Sequence, residues 1–337
     1  MFNPFADENC YGLYPLTKAI NVMPNRFGRL NQMGLFKPEP LTTDVVSIEM
    51  QNYVIRLLPS KPKGSPGSQS EHGKRGVLTF KVPHIPLEDT IRPEHYAGVR
   101  AFGTNSQAET FANVMARFLF ENRAKFELTW EHLKWGALKG LIIDGDGVTP
   151  LYNLFNEFGI QQKTVNFELA DPATDVQAKC FEVSRHIEEN LKGDVSSGVR
   201  VMVSQEFFDA LTGHPNVLKF FLNQSEASQV SGQDIRKGFR FGGLVFEEHL
   251  GKAPNGGTGD IQRFIAVGEG HAFPEGTSAT FLNAMAPGDF LETVNTPGVE
   301  LYAKQKVKDF DKGVDLWFES NVLPICLRPG VLVKVVK

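Results

Sequence analysis

The sequence predicts an α+β fold built around one outsized hairpin and one strut helix. Three observations carry that prediction. Residues 44–58 and 77–85 partly alternate apolar and polar side chains, the period-two pattern of strands, on either side of a Gly-, Pro- and Ser-rich stretch. Residues 105–139 place apolar side chains at helical spacing, and Gly140 ends the run. The last forty residues, through Val331-Leu-Val-Lys-Val-Val336, are rich in β-branched side chains and read as strands.

Taken in order, residues 1–43 carry Pro4, Pro15, Pro24, Pro38 and Pro40 among isolated aromatics. Prolines at that density block a long helix, so the segment reads as an extended arm with a helical turn near Leu16–Val22. Phe2, Phe5, Tyr11 and Tyr14 on such an arm must lie on the chain's own body or on a neighbouring subunit. In the hairpin, Val46, Ile48 and Met50 face one way, and Leu78, Phe80 and Val82 share a face of the return strand. The tip between them carries Lys61, Lys63, Lys74 and Arg75. An isolated two-stranded hairpin is marginal in water, so a long one is expected to lean on another chain.

Ser106-Gln-Ala-Glu109 has the form of a capping box, and Phe111, Val114, Met115, Phe118 and Leu119 follow at helical spacing. The resulting helix would be roughly 50 Å long, and its aromatic stripe reads as core. A second helix is expected from Asp171-Pro172 to Leu191, with Val176, Cys180, Val183, Ile187 and Leu191 on one face and Gly193 as its stop. Val199–Val203 reads as a buried strand, with short helices at Gln205–Leu211 and Val217–Leu222. Gly242-Gly243 between Phe239-Arg-Phe and Leu244-Val-Phe is a hairpin signal; Gly251–Gly259 reads as a polar loop and Phe264–Val267 as a strand.

Composition excludes several classes. With 337 residues, 41% hydrophobic and 22% charged, the chain can bury a sizeable core. A net charge of −4 argues against general nucleic-acid affinity. Cys10, Cys180 and Cys326 are far apart and form no CxxC, so reduced thiols in a cytoplasmic setting are expected. Met1–Glu8 has no basic stretch before an apolar run, against a signal peptide, and no apolar run reaches the ~18 residues of a membrane helix.

The motif searches favour structure over chemistry. Asp144-Gly-Asp-Gly147 invites a metal, but an EF-hand loop from Asp144 would have Val148, Thr149 and Phe155 at its fifth, sixth and twelfth positions, where an oxygen ligand, Gly and Glu are needed. Asp-Gly between Leu141-Ile-Ile143 and Val148 is instead a hairpin turn. Glu247-Glu248-His249 reads as a solvated triplet at a strand end. Gly268-Glu-Gly270 begins a dinucleotide-like pattern, but Phe273 stands at the third glycine. Ser60-Lys-Pro-Lys63 spells SxxK, yet Pro62 and the Gly/Ser run after it forbid an ordered nucleophile. The tip cations read as a solvated loop or a contact with an acidic neighbour rather than with nucleic acid. No catalytic, cofactor or metal residues are expected.

The order of elements resembles the Hong-Kong-97-type shell fold of tailed-phage capsid proteins. Particular segments resemble the lambda-type major capsid protein E family: Phe80-Lys-Val-Pro-His-Ile85, Gly98-Val-Arg-Ala-Phe-Gly103, Trp130-Glu-His-Leu-Lys-Trp-Gly-Ala-Leu-Lys-Gly140 running into the Asp-Gly-Asp-Gly turn, then Ala303-Lys-Gln305 and Glu319-Ser-Asn-Val-Leu-Pro-Ile-Cys-Leu-Arg-Pro329. The sequence departs from the family at Val322, where a proline would follow the asparagine.

The resemblance implies an N-terminal arm (1–43), an extended-loop hairpin (44–95), a peripheral domain with the spine helix (96–149 and 295–337) and an axial domain (150–294). It implies a major capsid protein that assembles as pentamers and hexamers into an icosahedral shell around packaged DNA, without sequence-specific DNA binding, membrane or cofactor. Scaffold, portal and decoration proteins are further partners it implies, with assembly in the host cytoplasm. Candidate inter-subunit contacts are Phe2, Phe5, Tyr11, Tyr14, Arg56, Lys61, Lys63, Lys74, Arg75 and Phe80. A different class stays open beside it: a cytoplasmic hydrolase with a site near Glu247, Glu248 and His249. A small accessory part of the same particle is disfavoured by the chain length and the strut helix.

Overall fold

The strut helix runs from Phe111 to Lys139, 29 residues, or about 43 Å at the rise of an α-helix. The computed structural model describes residues 12–23, 28–51, 75–95, 110–220 and 234–337. Phe2, Phe5, Tyr11, Cys10, Arg56, Lys61, Lys63, Lys74, the 98–103 segment and the capping box at 106–109 lie outside them. The strut helix is capped by Thr110, whose hydroxyl accepts from the Asn113 amide, so it starts later than Ser106 suggested. Its apolar stripe is core: Val114, Met115, Leu119, Phe126, Trp130, Leu133 and Trp135 are buried. Gly140 closes the last turn in the left-handed region (φ 77°), and a side chain there would strike the Phe155 ring.

The segment before it is more structured than an arm. Leu13–Val22 is a helix with Leu13, Leu16 and Ile20 buried, packed against the strand Tyr302–Val307. Pro15 falls in the first turn, where its missing N–H has no helical acceptor to lose. A second short helix, Arg29–Met33, is held by the carboxylate of Glu131, which accepts from the Leu30 and Asn31 amides at 2.9 Å each. Lys37–Pro40 then pairs in parallel with Phe281–Met285, which pairs with Val322–Cys326.

The hairpin is present as a ladder of Val45–Gln51 on Arg75–Lys81. Val46, Phe80 and Val82 are buried on one face, while Val45 and Val77 are exposed on the other. The strand expected over 77–85 ends at Lys81. Ahead of Ile85 the chain changes partner, and Ile85–Ile91 pairs with Val314–Ser320, which also pairs with Tyr302–Val307. Pro83 interrupts the run because proline cannot donate to a ladder.

The largest sheet has six strands in the order Lys163–Asn166, Val333–Val336, Glu269–Glu275, Gly198–Val203, Leu244–Glu248, Phe239–Phe241. The helix Gln205–Gly213 lies in the crossover between Gly198–Val203 and Leu244–Glu248, which run parallel. The strands of 295–337 are divided among three sheets. The second helix is Val176–Asn190, capped by Asp175. Asp171-Pro172 forms a turn instead, with Asp171 Oδ1 accepting from the Ala173 amide, so the helix cap falls four residues later, at Asp175. Its predicted face is correct: Val176, Cys180, Val183 and Ile187 are buried. The Gly242-Gly243 hairpin forms as expected. The 251–259 loop instead contains a strand, Lys252–Pro254, paired with Ile261–Arg263. Phe264–Val267 is no strand but a bend that points Phe264 at Trp135. Cys180 and Cys326 are buried, free thiols, and burial pushes both up to about 12.

One polar latch ties two loops of this core. The buried carboxylate of Asp194 accepts from Ser278 N (3.0 Å), Ser278 Oγ (2.8 Å), Ala279 N (3.0 Å) and Thr280 Oγ1 (2.9 Å). Burial alone would raise its pKa, but these hydrogen bonds outweigh it and hold the group well below the usual carboxylate range. Asp194→Ala is expected to lower stability by about 2 kcal/mol at pH 7, read by urea unfolding. Because the folded pKa is depressed, the charged carboxylate's contribution is full above the unfolded value of ~3.9 and fades as pH falls below it. The difference between parent and Asp194→Asn should shrink over that acidic window; a constant difference would contradict the assignment.

Candidate assembly surfaces

Within the triplet Glu247-Glu248-His249 the first residue is buried and the other two are half-buried. Glu247 is 5% exposed on Leu244–Glu248, a strand interior to the six-stranded sheet. Its carboxylate takes Arg29 Nε at 2.6 Å and Nη2 at 3.1 Å, and Arg200 Nη1 at 2.5 Å. Arg200 Nε in turn binds Glu275 at 2.6 Å. This four-membered network joins the Arg29–Met33 helix to the sheet. Sequence reading missed Arg29, Arg200 and Glu275 because their only signal is spatial. His249 packs tilted against Trp135 at 4.7 Å between ring centroids, and burial pushes its imidazole down to about 4, against the pull of Glu247. A carboxylate consumed by two guanidiniums and a neutral ring among aromatics do not make a hydrolytic pair.

The Asp-Gly turn is a turn. Asp146 Oδ1 accepts from the Val148 and Thr149 amides at 2.8 Å each, and its Oδ2 accepts from Thr149 Oγ1 at 2.6 Å. Asp144 N donates to Thr149 O across the base of the loop. Both Asp146 carboxylate oxygens are engaged in closing the loop, and the Thr149 and Val148 hydrogen bonds hold Asp146 below its ordinary pKa. Among the described residues, no group of three or more His, Cys, Asp or Glu is arranged to hold a metal.

Of the proposed contact residues, three fall within the described chain. Tyr14 is 63% exposed, and its hydroxyl donates to Glu292 O. Arg75 opens the return strand of the hairpin. Phe80 is 1% exposed, packed on Tyr152 at 5.2 Å and Phe158 at 6.2 Å, and so anchors the hairpin to its own subunit. Two apolar surfaces went unread in the sequence. Beside Tyr14, Leu291 is 96% exposed and Val294 is exposed. At the turn between Tyr302–Val307 and Val314–Ser320, Phe310 is 89% exposed. The Asp309-Phe-Asp-Lys-Gly313 turn signal between two alternating runs could have found the second.

Comparison with known proteins gives the class. The fold is that of phage capsid proteins. It is similar to the proposed capsid protein of an Escherichia coli CFT073 prophage (TM-score 0.58, 14% identity, covering 96% of this chain and 98% of that one) and to the capsid of Ralstonia phage GP4 (TM-score 0.51, 10% identity, 93% and 90%). The sequence is 30% identical to the major capsid protein of Salmonella phage Felix O1, covering 98% of this chain and 97% of that protein. Residues 12–337 match the family described as phage major capsid protein E, and the chain belongs to that family. It is a major structural subunit of a phage shell and not an enzyme; the hydrolase alternative has no support.

Proposed function

We propose that the subunit assembles as pentamers and hexamers of an icosahedral shell that encloses packaged DNA, with the 44–95 hairpin lying across the adjacent subunit. The observation that carries this reading is the two-stranded ladder itself, with Val45 and Val77 exposed on one face. A ribbon of that kind is marginal alone, and a neighbour's surface would supply the missing cover. Many weak contacts of this sort, repeated over the copies of a shell, add up to a stable particle. The arm (1–43) would reach along a neighbour, with 96–149 and 295–337 as a peripheral domain and 150–294 as an axial one. Strand pairing favours two adjustments to this division: the extended loop ends at Lys81, and Val333–Val336 goes with the axial sheet.

The net charge of −4 suits a container that holds DNA without sequence-specific binding. Assembly in the host cytoplasm is consistent with the free thiols of Cys180 and Cys326. Scaffold, portal and decoration proteins are further partners in the same reading, tested by co-expression. The deciding experiment deletes residues 60–76 and examines the product by electron microscopy. The expected result is a folded chain that yields at least ~10-fold fewer shells, since the loss repeats at every contact. Shells at the parent's yield would count heavily against the hairpin's role.

A further inference from the structure

Three side chains meet where the Arg29–Met33 helix lies on the strut helix. Lys134 Nζ donates to Asn31 Oδ1 at 2.7 Å. Glu131, one turn earlier on the same face of the strut helix, accepts from the Asn31 backbone amide through Oε2 at 2.9 Å. Lys134 is 7% exposed and Glu131 1%. Buried lysines are ordinarily paired with a carboxylate. Among the described residues Lys134 forms no ion pair, and the group it touches is a carboxamide. Burial pulls the Lys134 amine below its ordinary pKa and pushes the Glu131 carboxyl above its own, so a proton moves from amine to carboxylate more readily than it would in water.

Gly28 leaves space beside these groups. A Cβ on Gly28 would fall 2.3 Å from Glu131 Oε2 and 2.9 Å from Asn31 Nδ2, so the carboxylate and the carboxamide nitrogen border one small gap. Asn31 Nδ2 also donates to Glu127 O at 2.9 Å. That bond and the Lys134 contact together fix the carboxamide with its oxygen toward the amine.

We infer that Lys134 and Asn31 of one chain join in an intrachain isopeptide bond. The Lys134 ammonium gives a proton to Glu131, and the neutral amine attacks Asn31 Cγ, a desolvated lysine being a competent nucleophile. The bond from Cγ to Nζ forms and the bond from Cγ to Nδ2 breaks. Over the reaction Nζ loses two protons and the departing nitrogen gains two, relayed by the Glu131 carboxylate, so ammonium leaves and no oxidant or other co-reactant is consumed. Holding amine and carboxamide in contact supplies the effective concentration that an unactivated amide requires. The bond joins residues 103 positions apart, so the Arg29–Met33 helix stays on the strut helix even when the polar contacts that seat it open. A cross-link of that span restricts the unfolded chain as a disulfide does, without depending on redox state.

The test is the intact mass of the folded full-length chain, followed by tryptic digestion and fragment sequencing by mass spectrometry. The expected result is a chain lighter than its sequence mass by one ammonia, and a branched peptide joining the segment that holds Asn31 to the segment that holds Lys134. Lys134→Arg, which keeps a buried cation, is expected at its full sequence mass, as is Asn31→Ala. In a time course of refolding from denaturant, Glu131→Gln should link roughly 100-fold more slowly than the parent, the lower end of what a positioned proton-transfer group contributes. Linking at the parental rate in that variant would remove the carboxylate from the step. A folded parent chain at its full sequence mass overturns the bond, and so does an ammonia lost without the branched peptide. The measurement is made on single chains, so either result leaves the shell reading untouched.

Discussion

Replacing Glu247 by alanine is expected to cost the folded subunit about 3 kcal/mol, the low end for breaking a buried ionic network. Removal of this one carboxylate leaves two guanidiniums without their shared partner. Arg200 keeps Glu275, and Arg29 is partly open to water, which is why the cost stays at the low end. The Glu247–Arg29 bonds also hold the Arg29–Met33 helix, so hydrogen exchange at Leu30 and Asn31 should accelerate in the variant. Glu247→Gln keeps the shape and loses the charge, and an intermediate loss is expected. Chemical denaturation of all three chains at pH 7 is the measurement, and a loss under ~1 kcal/mol for Glu247→Ala would mean that the network contributes only a surface pair's worth.

Trp130→Ala should cost more, about 3–5 kcal/mol, the range for emptying a large aromatic site in a core. Trp130 is buried at the middle of the strut helix, and its Nε1 donates to Ser320 Oγ at 2.8 Å. That hydroxyl donates onward to Glu300 O at 2.7 Å, so one indole fixes the helix, the strand end and the loop before Tyr302. Trp130→Phe retains most of the volume and loses only the donor; since Ser320 keeps its own acceptor, about 1–2 kcal/mol is expected. Equal losses in the two variants would show that the hydrogen-bond relay, not packing, sets the role of this position.

The Trp130–Gly140 segment shows what a sequence can disclose and what it cannot. Its helical character, its stop at Gly140 and the following Asp-Gly turn are local, and all three were legible. The reasons for its residues are not local. Glu131 serves the amides of Leu30 and Asn31, a hundred residues earlier. Lys134 reaches Asn31 Oδ1 at 2.7 Å, and Trp135 packs on His249 and Phe264. Gly136 is small because the returning strand passes so close that a Cβ would lie 2.9 Å from Ile142 Cα. Each of these requirements comes from a distant segment, so the sequence displays a motif without its cause.

The same division explains the errors elsewhere. Polar side chains suggested a solvated triplet at Glu247 because their two arginine partners lie 218 and 47 positions away. Apolar content suggested a strand at Phe264–Val267, but the aromatic pocket beside Trp135 claims Phe264 and bends the chain. The early prolines suggested an extended arm with a helical turn near Leu16–Val22; the helix there runs from Leu13 because Pro15 sits where a helix tolerates it. Phe80 lies on the buried face that the alternation itself had predicted. Phe310, whose position only the turn's left-handed backbone reveals, was passed over.

The placement of Val333–Val336 bears on the order in which the molecule can be made. The six-stranded sheet is contiguous only through this strand, which bridges Lys163–Asn166 on one side and Glu269–Glu275 on the other. It is synthesised after every other strand in that sheet. Until it arrives, a nascent chain carries an unpaired edge along Glu269–Glu275, and such edges recruit other chains. Completion of this sheet thus waits for a strand made after its other five, and so does the covering of the Glu269–Glu275 edge.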